Sequence, residues 1–83
     1  MRTYTEEQVL AMMELADAYD KLCAIAQQAH RAEIASLSAR GYLADADKET
    51  RDRIREIADA ALRITMEADS LAASINAIRR EVA

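Results

Sequence analysis

Apolar residues recur at helical spacing in two long stretches, separated by a short polar interval near the middle of the chain. In the second stretch Ile54, Ile57, Ala61, Ile64, Ala68, Leu71, Ile75, Ile78 and Val82 follow alternating three- and four-residue steps. That spacing predicts a helix with an a/d seam sustained for about four heptads. Its two alanines thin the seam and admit a neighbouring backbone closely. In the first stretch the apolar face is wider. It takes in Val9, Met12, Leu15, Ala16, Tyr19, Leu22, Cys23, Ile25, Ala26, Ala29, Ile34 and Leu37, with Glu6, Asp17, Asp20, Lys21, Gln27, Gln28 and Arg31 opposite. This face spans roughly half the helix circumference, whereas one partner helix needs a stripe of about 100°.

Local signals punctuate the two stretches. Thr5 with Gln8 three residues on reads as a capping box, and Tyr4 with Val9 as its hydrophobic staple. Gly41 suits a left-handed position just past a helix end, with Tyr42 falling back on Leu37. Asp45 or Asp47 suits the start of a second helix, while Arg79 and Arg80 near its far end complement the helix dipole. The chain therefore reads as one all-α domain, residues 1–83: a helix over 5–40, a loop over 41–45 and a helix over 46–82. So short a loop makes the helices antiparallel neighbours.

Composition agrees and narrows the function classes. The 83 residues include 19 alanines, one glycine and no proline, which favours helix over a turn-rich β fold. The single cysteine excludes an intrachain disulfide framework, and it fits a reducing, cytoplasmic setting. The net charge of −4 gives no general pull toward phosphate backbones. The longest charge-free runs are nine residues (Leu22–His30 and Ser70–Ile78), well short of the roughly 18 needed to span a membrane. Arg2 is followed by Glu6 and Glu7 without an apolar run, so no secretory signal is expected.

An isolated two-helix hairpin of this size, with no disulfide or evident metal, has little with which to stabilise itself. The wide apolar face of the first helix, and Leu62 and Met66 off the seam of the second, are surplus to a hairpin. The expected assembly is a homodimer forming a four-helix bundle. The expected dimer or partner interface comprises Val9, Leu10, Met12, Met13, Leu15, Tyr19, Leu22, Leu62 and Met66. Met12 and Met13 make one end of it adaptable.

Candidate chemistry is sparse. His30 and Glu33 lie one turn apart on the apolar face, in the reverse order of the Glu-x-x-His motif of carboxylate-bridged metal sites. They read as a polar core layer setting register, with Glu33 paired to His30 or Arg40. Cys23 lies two turns from His30, about 10.8 Å, too far for a nucleophile–base pair within one helix. No catalytic, cofactor-binding or metal-binding residue is assigned. The acids Glu6, Glu7, Glu14, Asp17 and Asp20 read as a solvated face, and Arg51, Arg53, Arg55 and Arg63 alternate with acids instead of forming a basic stripe.

In length and hairpin plan the chain resembles the plasmid-encoded RNA-binding Rop family, whose basic and aromatic RNA-facing residues have no counterpart here. It also resembles secreted helical hairpins with a Trp-x-Gly turn, where this chain has Arg40-Gly41-Tyr42. Neither resemblance carries a site residue over. The expected function is a non-enzymatic protein-interaction module: an adaptor, inhibitor or small subunit, of a size compatible with phage or mobile-element origin. It binds a second protein through helix faces. The alternative is a nucleic-acid-linked regulator, by Rop-like RNA binding or acidic mimicry of nucleic acid.

Overall fold

The computed structural model describes residues 3–82. Met1, Arg2 and Ala83 lie outside the described residues, and with them the Arg2 charge used in reading the N-terminus. The chain forms two helices, α1 (Glu6–Tyr42) and α2 (Lys48–Val82), with no strand among the described residues. They pack as an antiparallel hairpin measuring 65 × 16 × 14 Å.

Each helix starts where its side chains supply the missing hydrogen bonds. Thr5 is extended (φ −72°, ψ 160°), and its Oγ1 accepts from the Gln8 amide at 3.1 Å. The Thr5 amide donates in return to Gln8 Oε1 at 2.9 Å, which completes the capping box. At α2 the Thr50 amide donates to Asp47 Oδ1 at 2.7 Å, so Asp47 is the capping aspartate. This bond holds the Asp47 carboxyl below the usual carboxylate range. On the outer face of α1, Lys21 and Asp17 pair at 2.7 Å, and the hydrogen bond to Asp17 raises the Lys21 pKa.

The end of α1 departs from the glycine-stop expectation. The helix runs through Gly41 to Tyr42, and no described residue has positive φ. Leu43 closes it instead (φ −99°, ψ 34°), donating its amide to the Ala39 carbonyl at 3.0 Å. A following turn, Ala46 amide to Leu43 carbonyl at 2.9 Å, reverses the chain without a left-handed residue. Tyr42 is 91 % exposed and does not staple the helix end.

The seam between the helices also differs in phase from the expected one. Ile54, Ala61, Ala68, Ile75 and Val82 face α1 as expected. Their companion row is not Ile57, Ile64, Leu71 and Ile78 but the adjacent Ala58, Thr65, Ala72 and Arg79. The physical reason is size. The alanines of α2 let the α1 backbone and its larger inner side chains pack against that face, where a row of isoleucines would hold the helices further apart. Thr65 fits this row because its hydroxyl donates to the Ala61 carbonyl at 3.1 Å and needs no partner across the seam. Among the described residues the buried side chains are all alanine: Ala26 of α1 and Ala58, Ala61, Ala68 and Ala72 of α2. On α1 the inner rows run through Met12, Leu15, Tyr19, Leu22, Ala26, Ala29, Glu33, Ser36 and Arg40.

Two outcomes follow. Ala58→Leu and Ala72→Leu each overpack the seam and lower stability by about 1–3 kcal/mol in thermal melts. The depressed Asp47 pKa means its contribution is complete above the ordinary carboxylate pKa and disappears as pH falls through the folded value. Asp47→Asn, which caps comparably at neutral pH, therefore keeps helicity there and flattens part of the acid decline seen by circular dichroism.

Candidate interaction surface

The seam divides the hairpin into two unlike sides. One side holds a groove of about 310 Å³ lined by Cys23, Ala26, Gln27, His30, Thr65 and Asp69. A helix turns about 100° per residue. The rows displaced to the other side of the seam are therefore Ala18, Ile25 and Ala32 on α1, flanking the inner Leu22 and Ala29, and Ile57, Ile64, Leu71 and Ile78 on α2. The α2 row is 59, 49, 49 and 46 % exposed in chain order. Ile25 is exposed as well, and Leu22 is half-buried. This side carries the isoleucine–leucine row of α2, while the groove side mixes Gln27, His30, Thr65 and Asp69 with exposed Val9, Met13, Ile34, Leu37 and Leu62, which share heptad rows with the groove residues.

The residues singled out from the sequence fall in three places. Met12, Leu15, Tyr19 and Leu22 are half-buried along the seam, so much of their surface is already covered by α2. Val9, Leu10 and Met13 are exposed at the start of α1. Leu62 and Met66 are exposed on α2. Met12 shares a groove with Asn76, Arg79 and Arg80, and the Cys23–His30 stretch shares one with Thr65 and Asp69, which places these stretches at matching heights along the rod. Leu62 then lies level with Ala29, about 24 Å along the axis from Met13. The nine residues do not make one surface. The Ile57–Ile78 row belongs to the exposed apolar surface, although periodicity had placed it in the hairpin seam. The signal that would have found it is the neighbouring Ala58–Thr65–Ala72 row, which is also heptad-spaced and smaller.

The seam becomes polar toward the loop. Glu33 lies within it, its side chain 17 % exposed, while His30 sits at the rim with 59 % exposure. His30 Nδ1 is 3.4 Å from Glu33 Oε1, so the expected partnership exists but spans seam and rim. Closer to the loop, the Nε atoms of Arg40 and Arg51 are out of water without a hydrogen-bond partner. Among the described residues no group of three or more His, Cys, Asp or Glu could hold a metal ion. No helix among them is long and apolar enough to cross a membrane. Arg51, Arg53, Arg55 and Arg63 spread over more than half the circumference of α2, and Arg53 is paired with Glu49 at 3.1 Å.

No family model matches the chain, and neither a curated protein nor a solved structure matches it.

Glu33 brings a carboxylate into the seam with one long, rim-exposed partner. Replacing such a group by an apolar one of similar length is often neutral or stabilising. Glu33→Met is therefore expected to fold and to melt at the wild-type temperature or above, measured by calorimetry at matched concentration.

Proposed function

We propose that the chain is a non-enzymatic protein-interaction module, an adaptor, inhibitor or small subunit, that acts as a homodimer and engages another protein through helix faces. One observation carries this reading: the buried residues among those described are five alanines, while most of the large aliphatic side chains are exposed. Burying an alanine removes little apolar area, and hydrophobic stabilisation scales with area, about 25 cal/mol per Å². The accessible surface supports the reading. It is 6445 Å² for a 9.2 kDa chain. A compact monomer of that mass exposes about 4,900 Å². The excess of about 1,500 Å² per chain exceeds the roughly 800 Å² per partner of a standard stable interface.

Association of this kind couples folding to concentration. Sedimentation at micromolar concentration is expected to give a dimer, and dilution should lower the melting temperature by several degrees. A folded monomer across that range, with a concentration-independent melt, would overturn the homodimer. Affinity capture from the cells of origin tests the second partner. A defined additional protein at fixed stoichiometry is expected, and recovery of the chain alone counts against the adaptor role.

A further inference from the structure

We infer that the apolar side of the hairpin, centred on the row Ile57, Ile64, Leu71 and Ile78, seats a second copy of the chain, with the two loops at opposite ends of the resulting four-helix bundle. The inference rests on the reading of the chain as a self-associating module and says which surface does it and in which orientation.

The row is complementary to itself. A two-fold axis crossing α2 beside Glu67 sets α2 antiparallel to its copy, with Ile57 opposite Ile78 of the second copy and Ile64 opposite Leu71. The grooves that join Met12 to Asn76, Arg79 and Arg80, and Cys23–His30 to Thr65 and Asp69, carry the same axis to the stretch of α1 around Leu22 and Ile25. Leu22 then meets Ile25 of the second copy, and Ala18 meets Ala29. One axis thus pairs large with large on α2 and completes an apolar layer on α1, although the two helices have unrelated sequences.

Charge at the rim follows the same symmetry. One helical turn from the apolar row stand Arg53, Ala60, Glu67, Ser74 and Glu81. The axis places Arg53 opposite Glu81 of the second copy, twice per dimer, and Ala60 opposite Ser74. Glu81 forms no ion pair among the described residues, and Arg53, held by Glu49 at 3.1 Å, is exposed with further guanidinium donors to offer. Glu67 meets Glu67 of the second copy at the axis. Arg63, one turn away on the same helix, supplies the opposing charge from each chain. The orientation with both loops at the same end lacks this matching, because it sets α1 against α2 of the second copy and removes the Arg53–Glu81 pairs.

The test uses the full chain with Cys23→Ala, so that one introduced cysteine carries a spin label. A label at Glu67→Cys is expected to give an interspin distance of about 10–20 Å. A label in the loop at Asp45→Cys should give about 60 Å, because the loop lies about 30 Å from the axis. Charge reversal provides a second readout in sedimentation. Arg53→Glu and Glu81→Arg each weaken dimerisation about tenfold, and the double variant restores it. A dimer with loop labels close together, a distant pair at position 67, or no rescue by the double variant overturns this arrangement while leaving self-association intact. A wild-type chain that stays monomeric overturns both.

Discussion

The structure depends on the close approach of two helices along rows of alanine. Among the described residues, Ala26 of α1 and Ala58, Ala61, Ala68 and Ala72 of α2 are the buried side chains. Small side chains bring backbones together and multiply dispersion contacts, each worth only about 0.1–0.2 kcal/mol. They also remove little apolar area per residue, which is the term that dominates folding. The hairpin thereby gains a well-defined register and a small hydrophobic gain. Ile57, Ile64, Leu71 and Ile78 of α2 are displaced to the neighbouring heptad row, where they are exposed.

Polarity along the seam sharpens the consequence. Toward the chain ends the inner rows hold Met12, Leu15, Tyr19 and Leu22 against Ala68, Ala72 and Ile75. Toward the loop they hold Glu33, Ser36, Arg40 and Arg51, with two guanidinium Nε atoms lacking hydrogen-bond partners. Each unsatisfied buried donor costs about 1–3 kcal/mol. The loop half is therefore the weaker part of the hairpin, tied mainly by the covalent turn and by the Asp47 cap. The middle and far portions carry the apolar packing.

Much of this was legible in the sequence because the signals are local. The Thr5–Gln8 capping box, an aspartate starting α2, and two helices on a five-residue connection need only nearby residues and periodicity. The phase of the seam was not legible by the same means. Ile57, Ile64, Leu71 and Ile78 form one heptad-spaced row, and Ala58, Thr65, Ala72 and Arg79 form another directly beside it. Periodicity cannot choose between two rows of equal period. The choice depends on how closely the helices can approach, a tertiary quantity that favours the smaller row. Gly41 failed differently. Its fitness for a left-handed turn was real, but the Leu43–Ala46 turn met the need, and a helical glycine near an exposed helix end costs only about 1 kcal/mol. The expected interface was scattered for a related reason. Val9, Leu10 and Met13 stand apart from Leu62 and Met66 because surplus apolar residues were collected helix by helix, before the levels of the two helices were known.

Seam phase links the fold to the proposed role. Had the isoleucine row faced α1, the hairpin would have buried its best apolar side chains and left an alanine surface with little to offer a companion. The observed phase does the reverse. It uses alanine between the helices and leaves the isoleucine and leucine row of α2 exposed, so that row's hydrophobic contribution is not realised within the hairpin. In the proposed dimer that contribution would be made on association, and dilution would then act on fold and assembly together. Under the proposed arrangement the groove side, with Gln27, His30 and Asp69, carries none of that structural duty, and substitutions there would disturb folding less than substitutions along the aliphatic row.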